Sequence, residues 1–142
     1  MPTVRRSALV DQRPEVLFDL VNDVAAYPAR FAWCSRAQVL ESSTDRLVAR
    51  LDLGLGKLST WFMTENRNHR PHSIDMQLKD GPFRKLHGRW EFTALGDAGC
   101  KVSLVLDFEP TSRLLVPALT LGFQGLADRM VNDFVREAGK VR

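Results

Sequence analysis

Alternating apolar and polar residues dominate the chain between about Gln38 and Phe108. Because a strand turns successive side chains to opposite faces, a period of two indicates a strand with one apolar face. Short glycine-bearing segments, GLGK at 54–57 and GDAG at 96–99, interrupt the alternation. The pattern predicts an antiparallel meander of about six strands. The clearest inner-face positions are Leu47, Ala49, Leu51, Leu53, Leu58, Thr60, Phe62, Thr64, Ile74, Met76, Leu78, Val102, Leu104, Leu106 and Phe108.

The first 28 residues predict one more strand and then a helical segment. Thr3 to Val10 alternates, and the period then lengthens. Asp11 is a candidate helix cap, Pro14 suits a first turn, and Tyr27-Pro28 is expected to end the segment. The helical spacing is compatible with one helix or with two short helices broken near Asn22. Its apolar positions are Leu17, Leu20, Val21 and Val24.

A long terminal helix is predicted after the EPTS segment at 109–112. Thr111 or Ser112 is the expected cap, and Pro117 is tolerable because it lies near the first turn. The pattern continues to about Gly139, which gives roughly 25 residues and about 38 Å of helix. The predicted inward stripe consists of Leu115, Leu119, Phe123, Leu126, Met130 and Phe134.

These elements together predict an α+β fold. The terminal helix must bury its apolar stripe, and the sheet offers one apolar face. We therefore expect a curved antiparallel sheet of about seven strands wrapped around the long C-terminal helix. One or two short helices would follow the first strand.

The stretch DGPFRKLHGRWEF, residues 80–92, fixes the register of one hairpin. A two-residue loop would pair Leu78 with Lys85 and mix apolar with charged side chains on one face. A three-residue loop, Gly81 to Phe83, pairs Leu78 with Leu86 and Met76 with Gly88. This longer loop keeps one apolar face, so we expect a longer or bulged turn.

Composition is that of one globular domain, residues 1–142, with 44% hydrophobic and 26% charged residues. No apolar run approaches the roughly 20 residues of a membrane span. The first ten residues lack the apolar region of a signal peptide. Cys34 and Cys100 show no CxxC spacing, which favours reduced thiols and a cytoplasmic location. The net charge of +3 permits an anionic partner without requiring one.

Several stretches resemble a known family. They are LFDLVNDVAAYP at 17–28, Cys34 with VLES at 39–42, the alternating Phe62, Thr64 and Asn66, residues 80–92, and DFEP at 107–110. Together with the order of elements, they resemble the START-like helix-grip superfamily, which also contains polyketide cyclases. The nearest resemblance is to the branch of coenzyme Q-binding START proteins and the bacterial ribosome-association toxin RatA.

The resemblance implies a cavity between the sheet and the terminal helix. In the quinone-binding branch the cavity holds a polyprenyl quinone, and the protein supports respiration without catalysis. In the toxin branch the protein binds the large ribosomal subunit and blocks subunit joining. The main expectation is therefore a carrier of ubiquinone or a related isoprenoid quinone. A ribosome-binding regulator is the alternative, and a cyclase-like enzyme is a second alternative, because a fold does not fix a function.

The inner face supplies the candidate ligand site. Gly88 leaves room between Leu86 and Trp90, or lets the sheet bend. Thr60 and Thr64 flank Phe62 and can hydrogen-bond a quinone carbonyl. The expected cavity lining is Thr60, Phe62, Thr64, Leu86, Gly88, Trp90, Phe92, Leu104, Leu106, Phe108, Leu119, Phe123, Leu126 and Met130.

No catalytic or metal-binding constellation emerges from the sequence, so we expect neither an enzyme nor a cofactor or metal. His69 and His72 have HxxH spacing, but the neighbouring arginines and proline indicate a solvated loop. Asp107 and Glu109 share a predicted outer face without a further acid–base partner.

Two surface features are candidates for partner binding. Arg84, Lys85, His87 and Arg89 form a basic stripe suited to ribosomal RNA phosphates or an anionic membrane. The stripe lacks the interleaved aromatic residues that stack on bases, so no DNA partner is expected.

The second surface feature is the apolar start of the terminal helix. Leu114, Val116 and Leu121 cannot all join the inward stripe, so they predict a membrane contact or a homodimer. If the contact is with a membrane, the protein would bind peripherally at the inner face of the membrane. The simpler alternative is that residues 27–36 cover this end.

Overall fold

The computed structural model describes residues 2–140 and shows one seven-stranded antiparallel sheet. The strand order is β1-β7-β6-β5-β4-β3-β2, so every neighbour except β1–β7 is a sequential hairpin. This confirms the predicted α+β fold. The strands are β1 Thr3–Val10, β2 Cys34–Ser42, β3 Arg46–Leu55, β4 Leu58–His69, β5 Ser73–Asp80, β6 Phe83–Leu95 and β7 Gly99–Pro110.

Two short helices follow β1, with a break at the place that the sequence allowed. Helix α1 spans Pro14–Asn22, a 3₁₀ turn spans Val24–Ala26, and α2 spans Tyr27–Arg30. The prediction that Tyr27-Pro28 ends the helical segment is wrong. Pro28 lies in the first turn of α2, where a proline removes no intrahelical hydrogen bond. The prediction that Asp11 caps this helix is also wrong, because Arg13 occupies the N-cap position of α1.

The terminal helix α3 spans Val116–Ala138 and begins later than predicted. A 3₁₀ turn, Arg113–Leu115, precedes it, so Thr111 and Ser112 do not cap α3. Three residues per turn change the phase of the side chains relative to an α-helix. Leu115 consequently faces outward and is 47% exposed, which corrects its assignment to the inward stripe. No helix among residues 2–140 is long and apolar enough to cross a membrane.

The hairpin of β5 and β6 has the predicted register. Ile74 pairs with Trp90 and Met76 with Gly88, as the three-residue loop requires. On the other edge of β6, the pairing with β7 is irregular, because its register shifts between Phe83 and Lys85. The extra residue of this bulge is Arg84.

Two clusters of aromatic rings hold α3 against the sheet. Near the start of α3, the Phe123 cluster comprises Phe62, Phe83, Phe108 and Phe123, with neighbouring centroids 4.6–6.5 Å apart. Near its end, the Phe134 cluster comprises Phe18, Tyr27, Phe31, Trp33, Trp90, Phe92 and Phe134. The indole N–H of Trp33 also donates to Asp133 at 2.9 Å, which satisfies its buried donor.

Gly122 lets the first turns of α3 lie directly on the β3–β4 turn. A Cβ atom at Gly122 would lie 2.8 Å from Cβ of Leu55, closer than two carbon atoms can approach. Gly125, one helical turn later, has no atom within 4 Å of the same position. A side chain at Gly122 would therefore clash with Leu55, whereas a side chain at Gly125 would meet open space.

We expect Gly122→Ala to destabilise the protein relative to Gly125→Ala. Both changes add helix propensity, worth up to about 1 kcal/mol, but the first also forces α3 away from Leu55. Overpacking of this kind costs about 1–3 kcal/mol. Urea unfolding of both variants measures the difference. Equal unfolding free energies would contradict the close approach.

Candidate functional site

An internal cavity of about 50 Å³ lies between the sheet and α3. It sits between the two aromatic clusters, with Phe62 and Phe123 at one side and Tyr27 and Trp90 at the other. The walls are almost entirely apolar. The lining residues are Val21, Val24, Tyr27, Ala49, Leu51, Leu53, Phe62, Thr64, Asn66, Ile74, Met76, Trp90, Leu104, Leu106, Phe123, Leu126 and Met130.

The structure places eight of the predicted lining residues at the cavity. They are Phe62, Thr64, Trp90, Leu104, Leu106, Phe123, Leu126 and Met130. The other predicted residues lie outside the lining. Thr60 is half-buried toward the β3–β4 turn, and the other five are buried in the surrounding core: Leu86, Gly88, Phe92, Phe108 and Leu119. A ligand-binding role for any of these residues stays a prediction.

Gly88 does not leave the open space that the sequence suggested. The terminal methyl group of Met76, its cross-strand partner, lies 2.3 Å from where a Cβ of Gly88 would stand. Met76 therefore fills the gap. A methionine side chain is long and adaptable, so its movement would enlarge the cavity beside Gly88.

One strand gives the cavity a polar wall. Thr64 and Asn66 of β4 are both buried, and the Thr64 hydroxyl donates to Asn66 Oδ1 at 2.7 Å. Two residues further on, Asn68 Nδ2 donates to Asn22 Oδ1 at 3.0 Å. Asn68 Oδ1 is buried without a partner among the described residues, which is unfavourable by about 1–3 kcal/mol. The sequence prediction missed Asn66 as a lining residue, although its alternation with Thr64 placed it on the inner face.

Residues of α1, the 3₁₀ turn and α2 also line the cavity, and the sequence analysis missed them. Val21, Val24 and Tyr27 are buried and line it. The Tyr27 hydroxyl donates to the backbone carbonyl of Val21. Burial raises the pKa of Tyr27 far above its usual value, so the phenol stays neutral. This part of the wall therefore presents no charge.

The predicted basic stripe divides into a paired half and an unpaired half. His87 Nε2 lies 2.6 Å from Asp75 Oδ1, and Arg89 lies 3.5 Å from the same carboxylate. Arg89 also contacts Glu91 at 3.0 Å. These carboxylates offset the positive charge of Arg89 and occupy one ring nitrogen of His87.

Arg84 and Lys85 form the unpaired half of the stripe. Both are exposed, because the bulge at the start of β6 turns two successive side chains outward. Neither has an ion-pair partner within residues 2–140. Glu109 is the cross-strand neighbour of Lys85, but it makes no ion pair with it. These two side chains are therefore available to bind phosphate.

The apolar start of α3 is exposed as predicted at two of three positions. Leu114 is 91% exposed and Leu121 is 71% exposed, whereas Val116 is half-buried. Residues 27–36 do not cover this end, because Phe31 and Trp33 pack on Phe134 at the opposite end of α3. Contact of this patch with a membrane or a second copy stays a prediction.

The histidines and carboxylates that the sequence suggested for metal or acid–base chemistry do not line the cavity. Residues 2–140 contain no group of three or more His, Cys, Asp and Glu side chains able to hold a metal. His69 and His72 are exposed, and Asp107 accepts a hydrogen bond from the Thr3 hydroxyl at 2.5 Å.

A seven-stranded antiparallel sheet that grips a long helix around an apolar cavity defines the START-like class of proteins. The chain belongs to the family described as "Polyketide cyclase / dehydrase and lipid transport", which matches residues 10–135. The fold is also that of the Zhui aromatase/cyclase from Streptomyces sp. R1128, with a TM-score of 0.83 and 18% identity. That comparison covers 99% of this chain and 96% of the cyclase, and at this identity it shows the fold alone.

Within this class the chain is similar to RatA and, at lower identity, to a coenzyme Q-binding protein. It is 45% identical to the ribosome association toxin RatA of Vibrio cholerae, over 99% of this chain and 98% of the relative. It is 26% identical to the mitochondrial coenzyme Q-binding protein COQ10 homolog B of Xenopus laevis. That alignment covers 89% of this chain and 54% of the relative. The resemblance inferred from the sequence is thus confirmed at the level of the family.

The two cysteines allow a test of how deeply their thiols are buried. Cys34 and Cys100 are free and buried, and burial raises the pKa of Cys34 to about 11. Only the thiolate reacts readily, so we expect slow reaction of the native protein with Ellman's reagent at pH 8. The unfolded thiol ionises near pH 8.5, so the unfolding free energy should fall as the pH rises from about 9 through 11.

Cys34→Ala should lose less stability than the wild type over the same pH interval, which urea unfolding at pH 8 and pH 10.5 measures. Rapid labelling of one native thiol at pH 8 that is absent in Cys34→Ala would show that Cys34 is not buried as described.

Proposed function

We propose that this chain is a RatA-type regulator that associates with the ribosome in the cytoplasm. The observation that carries the proposal is 45% identity to RatA across nearly the full length of both chains. Such coverage leaves no separate domain to account for the relative's activity. The similarity to the coenzyme Q-binding relative is lower and covers about half of that protein. The large subunit is the proposed partner, because the resemblance inferred from the sequence implies it.

The surface chemistry supports an association with RNA. Binding to ribosomal RNA requires cations that reach phosphate groups. Arg84 and Lys85 are exposed and have no ion-pair partner within residues 2–140. The small cavity does not favour the quinone carrier as the main function. Its volume of about 50 Å³ is well below the roughly 300–1,000 Å³ of typical ligand pockets.

The wild-type protein should co-sediment with isolated large subunits at 50 mM salt and release them as salt rises, because counterions compete for phosphate. It should also shift gradient profiles from assembled ribosomes toward free subunits. Small subunits serve as the control. Absence of any association at 50 mM salt would contradict the proposed function.

A hydrophobic ligand in the cavity is the second candidate function. The family includes lipid transport proteins, and the cavity joins apolar walls to a polar strip at Thr64 and Asn66. This arrangement suits a small apolar molecule that carries one hydrogen-bonding group. A quinone ring would require Met76 or Met130 to move.

Met76→Ala should increase binding of a short-chain ubiquinone several-fold, because it removes the side chain that fills the space beside Gly88. Gly88→Ala should weaken binding, since its Cβ would push the Met76 methyl group into the cavity. Quenching of tryptophan fluorescence measures binding. Met63→Ala, on the outer face of β4, is the matched control. Equal binding by all three variants and the wild type would make the cavity a packing gap only.

A further inference from the structure

Three chain turns meet at one end of the molecule. The β3–β4 turn lies under α3, because a Cβ on Gly122 would lie 2.8 Å from Cβ of Leu55. The β5–β6 turn contacts the segment after β7, where the backbone N–H of Thr111 donates to the carbonyl of Pro82 at 3.4 Å. The 3₁₀ turn Arg113–Leu115 follows directly. We call this surface the basic–leucine end, and its exposed residues are Lys57, Leu58, Arg84, Lys85, Arg113, Leu114, Leu115 and Leu121.

Half of the basic–leucine end is apolar. Leu114 and Leu121 are the most exposed of its leucines, and Leu115 and Leu58 are 47% and 37% exposed. Leu58 was predicted on the inner face, but it is the first residue of β4, beside the turn. Such side chains occur singly on many surfaces, but a group that shares one end indicates a contact site. The Phe123 cluster lies directly beneath through Phe83 and supports this surface from within.

The other half carries unpaired positive charge. Lys57, Arg84, Lys85 and Arg113 are exposed and form no ion pair within the part of the chain that the structure describes. Two carboxylates lie nearby: Asp80, which accepts from the backbone N–H of Gly81 at 2.9 Å, and Glu109, opposite Lys85.

The outer face of the sheet contrasts with this end. Arg46, Arg67 and Arg89 all contact carboxylates there. The basic–leucine end differs from this part of the sheet surface, because its four cations stay unpaired among the described residues.

We propose that the basic–leucine end is the surface that docks on the large ribosomal subunit. The four cations would bind phosphates of ribosomal RNA, and the leucines would pack on an apolar patch of an adjoining ribosomal protein. The inference rests on the proposed function, and it names the contact surface of that function. An anionic bilayer offers a similar combination of charge and apolar surface. The ribosome is favoured because the full-length relatives are ribosome association proteins.

The sequence separated this surface into two features that the fold brings together. Arg84 and Lys85 belonged to the stripe of β6, whereas Leu114 and Leu121 belonged to the start of the terminal helix. Their union at one end makes a single contact with both components possible.

The test compares two variants with the same change of net charge. The first replaces four cations of the basic–leucine end by glutamine: Lys57, Arg84, Lys85 and Arg113. The control replaces four exposed cations elsewhere that also lack ion-pair partners among the described residues: Arg5, Arg13, Lys101 and Arg129. A leucine variant, Leu114→Ser with Leu121→Ser, is matched by Leu9→Ser with Leu95→Ser, which are exposed at the opposite end.

Binding to purified large subunits is measured between 50 and 200 mM salt. With four phosphate contacts, wild-type affinity should fall roughly 50- to 150-fold over this range. The variant with glutamine at Lys57, Arg84, Lys85 and Arg113, the basic-end variant, should lose most of this salt dependence, whereas its charge-matched control should keep it. The leucine variant should bind more weakly at every salt concentration with an unchanged slope, and its control should bind like the wild type.

If both charge variants bind large subunits as tightly as the wild type, the basic–leucine end is not the docking surface, and the proposed function still stands. Absence of wild-type binding would overturn both. Binding of the same proteins to phosphatidylglycerol vesicles is measured as well. Vesicle binding without subunit binding, abolished in the basic-end variant, would assign the surface to an anionic bilayer and contradict the ribosomal partner.

Discussion

The structure depends on how the sheet holds α3 at two separated points. Phe134 lies within 6.0 Å of four other aromatic rings, and Phe123 lies 4.6 Å from Phe108 and 5.9 Å from Phe83. Each such ring pair adds about 0.5–1.5 kcal/mol beyond its buried area. Eleven residues, about 16 Å of helix, separate the two anchors. Between them the walls consist largely of aliphatic, small and flexible side chains, and there the cavity remains.

The order of elements and the register of the sheet were predictable because they follow from local alternation. A three-residue loop between β5 and β6 keeps Ile74 opposite Trp90, whereas a two-residue loop does not, and the structure has that pairing. The inner face of β7 was equally clear, and Leu104 and Leu106 line the cavity. The family resemblance was predictable because its motifs extend over nearly the whole chain. A period of two is therefore informative wherever one face of a strand is buried.

The remaining features depend on contacts between distant segments. Nothing in the local pattern of β6 shows that Asp75 contacts His87 and Arg89, because that carboxylate belongs to β5. The gap at Gly88 is filled by Met76, whose rotamer no local pattern determines. Leu115 faces outward because a 3₁₀ turn changes the helical phase before α3 begins. The union of basic residues and leucines at one end likewise requires the tertiary fold.

The central claim is that this chain meets the ribosome through one end, the basic–leucine end. Hydrogen–deuterium exchange of the protein, alone and with purified large subunits, tests it most directly. The account predicts slower exchange in residues 55–58, 81–85 and 111–121 in the complex, with little change at residues 69–73 on the opposite end. Protection concentrated at residues 69–73, or none anywhere in the presence of saturating subunits, would contradict it.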